Sequence, residues 1–66
     1  MYIIIKNKSQ LYNLKKDDEF LIGGMLYKVI EPYNETIDSI LVVCYKDYPT
    51  GGFDYKNPYS LSYDYI

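Results

Sequence analysis

Apolar positions along this 66-residue chain come in short runs shaped like strands, and none repeats with the spacing of a helix of several turns. The clearest signal is EFLIGGMLYKV, residues 19–29, where two apolar runs flank Gly23-Gly24. A two-residue hairpin loop needs positive φ at both central positions, which glycine adopts without a steric penalty, so the pair predicts a tight primed turn. The register follows: Ile22 faces Met25, Leu21 faces Leu26, Phe20 faces Tyr27 and Glu19 faces Lys28. Aromatic meets aromatic and acid meets base, each such pair contributing roughly 0.2–1 kcal/mol. One face then carries Phe20, Ile22, Met25, Tyr27 and Val29 and is the expected core face. Leu21, Leu26 and Ile30 lie on the other, which either the rest of the chain or another molecule must cover.

SILVVCYK, residues 39–46, is apolar from Ile40 to Tyr45 and rich in β-branched side chains, the mark of a central strand covered on both faces. YIIIK, residues 2–6, reads as a shorter strand of the same kind. Residues 7–13 are compatible with one helical turn capped by Ser9. Residues 14–19 form a polar approach to the hairpin, and residues 32–39 a loop opened by Pro32. Residues 47–58 hold Pro49, Gly51, Gly52 and Pro58 and are expected to be loop, with a second tight turn at Gly51-Gly52. The tail returns as a strand with Tyr59, Leu61, Tyr63 and Tyr65 on alternate positions. About five short strands separated by turns predict an all-β fold, a small, strongly bent antiparallel barrel or roll with at most one short helical turn, the whole of 1–66 forming one domain.

Composition sharpens this picture. A chain of this length hides only about 60% of the surface its unfolded form exposes. The aliphatic, Met and Phe inventory is 8 Ile, 6 Leu, 3 Val, 2 Met and 2 Phe, so several of the 10 Tyr must complete the core and the remainder must face outward. Tyr27, Tyr45 and the Tyr59/Tyr63 side are expected inward or at a self-association surface, and Tyr48, Tyr55 and Tyr65 outward. The single cysteine, Cys44, cannot form an internal bridge, which fits a reducing cytoplasm. MYIII is too short for a signal-peptide core or a membrane span. Lys6, Lys8, Lys15 and Lys16 stand in the first sixteen residues with no acid, whereas all nine acids lie in 17–66 beside three lysines.

Candidate chemistry is sparse. Without His the usual general base near neutral pH is missing, and Cys44, amid apolar strand residues, reads as a small core hydrophobe, so no catalytic residue and no cofactor are assigned. Asp17, Asp18 and Glu19 are consecutive on an extended chain, alternate sides and do not converge on one ion, so no metal site is assigned either. Nucleic-acid binding would use Tyr2, Tyr12 and the amino-terminal lysines as a stacking platform beside a basic strip. The absence of arginine and the acidic remainder weigh against it. Residues 45–65 hold six Tyr and one Phe interleaved with Asp47, Asp54 and Asp64; tyrosine gives large, rigid, amphipathic contact area, so this stretch points to a protein partner. The partner-binding candidates are Tyr48, Phe53, Tyr55 and Tyr65 with Asp47, Asp54 and Asp64. Leu21, Leu26 and Ile30 are the candidate self-association patch of a homodimer.

Residues 14–30, LKKDDEFLIGGMLYKVI, resemble the segment of SH3-like small barrels and related small phage proteins in which Lys/Gly-Asp-x-Phe-x-Ile-Gly-Gly-x-x-Tyr-x-Val leads into a tight hairpin. Where many such barrels place Gly before the Asp, this chain has Lys16 and Asp17. The resemblance covers about a quarter of the chain and implies a fold, not a reaction. Tyr, Ile, Lys and Asn, whose codons are rich in A and T, make up 29 of 66 residues. With its size and acidic-aromatic tail, the chain is similar in type to small phage or mobile-element accessory proteins, among them anti-CRISPR and other anti-defence inhibitors. That resemblance implies a non-catalytic module that occupies a bacterial defence nuclease or other effector. The alternatives are a nucleic-acid-binding small barrel and a structural or assembly piece of a phage particle.

Overall fold

In the computed structural model Gly23 and Gly24 take φ of 55° and 84°, the primed turn their sequence demands. The model describes residues 2–7, 9–47 and 51–62, with only the backbone at Tyr59 and Ser62. The turn joins β2 (Glu19–Ile22) to β3 (Met25–Asn34) in the expected register, with Glu19 opposite Lys28 and Phe20 opposite Tyr27. The Phe20 and Tyr27 rings stack at 5.4 Å between centroids. β4 (Ser39–Lys46) runs antiparallel to β3 and is central as expected. Its other side pairs with β5 (Gly52–Phe53) at its carboxyl end and with β6 (Tyr59–Ser62) at its amino end.

Three departures have physical causes. β1 is only Ile3–Ile4, runs parallel to β2, and lies at the sheet edge with Ile3 and Ile4 exposed. Six strands therefore form one sheet that is mixed, not wholly antiparallel, and not closed into a barrel among the described residues. Pro32 does not open a loop. β3 continues through it to Asn34, because two register shifts against β4, between Val29 and Glu31 and between Glu31 and Asn34, place the proline where no ladder hydrogen bond is required of it. Ser9 is not the cap of α1 (Ser9–Tyr12) but its first residue. In the turn that leads into the helix the Asn7 carbonyl accepts from Gln10 N–H, while the Gln10 Oε1 accepts from the Asn7 and Lys6 amides and its Nε2 donates to the Ile4 carbonyl at 3.1 Å. One glutamine thus ties this turn to the free edge of β1.

The polar approach to the hairpin is a turn. Lys15 N–H donates to the Asp18 carboxylate at 2.8 Å, and Asp17 N–H and Asp18 C=O pair with Val29. Asp17 has φ 73°, a left-handed backbone that aspartate tolerates better than most residues.

The core lies on one face of the sheet. Phe20, Val29, Ile40, Val42 and Leu61 point into it, and Ile5, Leu11 and Leu14 close it from the segment that carries α1. Ile22 and Tyr27 pack against this cluster, but Met25, at the turn, is about half exposed and lies outside it. Cys44 is buried beside its cross-strand partner Tyr27, as expected of a core cysteine. No helix of the described residues is long and apolar enough to cross a membrane.

Candidate functional site

Strand alternation puts Ile4, Leu21, Leu26, Lys28, Val43 and Tyr45 on the face opposite the core. Ile4 is the registered partner of Leu21, Leu21 of Leu26, and Tyr45 of Phe53; Leu26 and Tyr45 adjoin the paired Tyr27 and Cys44. The result is an apolar row, Ile4–Leu21–Leu26–Tyr45–Phe53, across five strands. Ile4 is 57% exposed and Tyr45 36%, while Leu21, Leu26 and Phe53 are half-buried. Two patches that the sequence suggests separately, one for self-association and one for a partner, are therefore one surface. Ile30 is not part of the row. It sits at the first register shift of β3 and is half-buried.

The loop after β5 folds back over this face. The Lys28 ammonium donates to the Tyr55 hydroxyl at 3.0 Å and stands 5.6 Å and 5.7 Å from the Phe53 and Tyr55 ring centroids. The Phe53 ring meets the edge of Tyr45 at 5.6 Å and lies 6.4 Å from Tyr55. The bond to Tyr55 raises the Lys28 pKa above its ordinary value despite some desolvation, and Asp17 and Glu19 add to the rise. Val43, opposite Lys28 in the ladder and on this side of the sheet, is completely buried. The chain itself thus covers half of the outer face, and the Ile4–Leu21–Leu26 half is left more open. Gly51 (φ 71°) belongs to the same arrangement, since a Cβ there would stand 3.3 Å from the Tyr45 hydroxyl.

Of the candidate partner residues, Tyr55 is 56% exposed and Asp47 is exposed, as expected. Phe53 is half-buried and is packing as much as display. Tyr45, expected inward or at a self-association surface, is not inward; it stands in the outer row with Leu21 and Leu26. Asp54, a partner-binding candidate, is engaged within the chain: its carboxylate pairs with Lys46 Nζ at 2.9 Å and accepts from Asn57 Nδ2 at 3.0 Å and 3.2 Å. Lys8, Tyr48, Tyr63, Asp64 and Tyr65, and the side chain of Tyr59, lie outside the described residues. Nothing in the sequence singles out Lys28 as a site residue. Its opposition to Glu19 is visible in the sequence, but its contact with Tyr55, twenty-seven positions away, leaves no local signal. Comparisons with protein-family models, curated proteins and solved structures gave no match.

The hydrogen bond from Lys46 holds the Asp54 carboxyl below its ordinary pKa, and that from Asn57 helps. A depressed folded-state pKa contributes stability that is complete above the unfolded value, near 3.9, and is lost as pH falls through the folded value. The difference in melting temperature between the natural chain and Asp54→Asn is therefore expected to be widest near neutral pH and to shrink on acidification below about pH 4. A difference that does not change between neutral pH and acid would show that the ion pair does not anchor the 54–57 turn.

Proposed function

We propose that this chain is a non-catalytic protein-binding module built on an open, SH3-like roll, and that it acts by occupying a bacterial protein, in the manner of a small phage-encoded inhibitor of a host defence nuclease or other effector. The single observation that supports this most is the shared outer face, where the Ile4–Leu21–Leu26–Tyr45–Phe53 row and exposed Tyr55 form one aromatic-aliphatic surface. Aromatic rings backed by a rigid sheet lose little side-chain freedom on binding, which is what interface centres favour. The nucleic-acid reading is less well supported: Tyr2, half exposed as a stacking residue would be, lines a cleft with Asp17, Asp18 and Glu19, carboxylates that repel phosphate.

The test is formation of a complex, followed by size exclusion, between the tagged chain and candidate defence proteins of a low-GC bacterium. Tyr55→Ala and Leu26→Glu, both on the outer face, are expected to weaken a complex by roughly tenfold or more while a cooperative thermal transition remains. A chain that instead bound duplex or single-stranded nucleic acid with a steep salt dependence would overturn the reading.

A further inference from the structure

β1 is an edge of the sheet, with β2 as its only neighbouring strand among the described residues. Edge strands present a row of open backbone groups, and proteins commonly blunt them with charge or proline. Residues 2–5, Tyr-Ile-Ile-Ile, supply neither; Tyr2, Ile3 and Ile4 are 50%, 40% and 57% exposed, and the first charge is Lys6. What this edge has instead is Gln10. Ile5 N–H donates to the Leu21 carbonyl at 2.9 Å, so the backbone groups of Ile5 face β2 and, by strand alternation, those of Ile4 and Lys6 face away from it. The Gln10 side chain takes two of these outward groups: its Nε2 donates to the Ile4 carbonyl at 3.1 Å and its Oε1 accepts from the Lys6 amide. In a parallel ladder one residue of the neighbouring strand bonds the C=O before and the N–H after the residue it faces. The Gln10 amide makes that same pair of bonds around Ile5, and a further bond from Asn7 N–H at 3.1 Å holds it there. It stands in for one residue of a strand. α1 carries it, and buried Leu11 and Leu14 fix that segment against the core.

We propose that Gln10 plugs a strand-addition site, and that the strand it excludes is β1 of a second copy of this chain. The proposal holds whether or not the outer face binds another protein. Two β1 strands pair antiparallel about a two-fold axis at Ile4: the two Ile4 residues exchange both N–H···O=C bonds, and Lys6 of each copy stands opposite Tyr2 of the other, so the lysines do not meet. This pairing needs the Ile4 carbonyl and the Lys6 amide, the two groups that Gln10 holds. It also runs the Ile4–Leu21–Leu26 row of one copy into that of the other, so apolar side chains are buried along with the new backbone bonds. An unrelated extended segment gains the backbone bonds without that continuity.

The test compares Gln10→Ala and Gln10→Met with the natural chain by sedimentation equilibrium and by amide hydrogen exchange of the whole labelled chain. Methionine keeps the length of the stem where alanine could loosen α1. Both variants are expected to self-associate at least about tenfold more tightly than the natural chain, because two hydrogen bonds no longer compete with strand addition. In dilute solution their Lys6 and Asn7 amides are expected to exchange faster. On association the Ile4 amide, which faces away from β2 and which Gln10 does not touch, is expected to gain protection. Ile4→Lys added to Gln10→Ala brings like charges together at the axis and is expected to return association to the level of the natural chain. Variants that associate no more tightly than the natural chain would overturn the proposal. So would tighter association that leaves the Ile4 amide unprotected, since the contact would then lie on a face and not at the edge. Exchange of the Lys6 amide in the natural chain at the rate of an unfolded backbone would overturn it without recourse to any variant.

Discussion

Phe20→Ala is expected to leave most of the purified chain unfolded at 25 °C. Phe20 has no exposed surface, stacks on Tyr27, and sits on β2 between β1 and β3, so removing its ring empties the centre of the core. Phe-to-Ala changes at such sites cost about 3–5 kcal/mol. Stability of about 0.05–0.15 kcal/mol per residue gives a chain of 66 residues roughly 3–10 kcal/mol in all, so the loss is comparable with everything available. Met25→Ala is the control. It removes a side chain of similar bulk from the same face of the same hairpin, but one about half exposed at the turn, and the expected cost is under about 1 kcal/mol. Far-ultraviolet circular dichroism and a thermal scan of both variants decide the matter. A cooperative Phe20→Ala transition within a few degrees of the natural chain would mean that the core is not where the hairpin register puts it.

That register was legible because every local preference in residues 19–29 agrees: two glycines at the turn, alternation on both arms, and paired aromatics and charges. The central place of residues 39–46 was legible for a similar reason, a β-branched run with no polar face. What local pattern could not supply was anything set by distant contacts. The parallel pairing of Ile3–Ile4 with Phe20 and Leu21 depends on a crossover through α1, and MYIII reads identically as a parallel edge or an antiparallel centre. Pro32 reads as a strand breaker until the bulges beside it are known. The site was half visible. Aromatic richness after residue 45 suggested a displayed surface, and Leu21 and Leu26 suggested an apolar patch, but their union on one face follows from five strand pairings together.

The coverage of the outer face leads to a second large effect. Phe53→Ala is expected to cost about 2 kcal/mol of stability, because it removes the half-buried ring that joins Tyr45, Tyr55 and the Lys28 ammonium. Tyr55→Ala should cost less, about 1 kcal/mol, since its ring is mostly in solvent and its loss forfeits chiefly one hydrogen bond and one cation–ring contact. The ordering separates two roles that composition alone conflates: Phe53 holds the loop against the sheet, and Tyr55 is held out by it. Lys28→Met provides the decisive comparison, because methionine keeps most of the covering hydrocarbon and discards the charge. If the ammonium secures the loop, Lys28→Met and Phe53→Ala should be non-additive in denaturant unfolding, with a coupling of about 0.5–1 kcal/mol. Strict additivity, together with a Phe53→Ala cost no larger than that of Tyr55→Ala, would place the loop away from the sheet. The outer row would then be open from Ile4 to Tyr45.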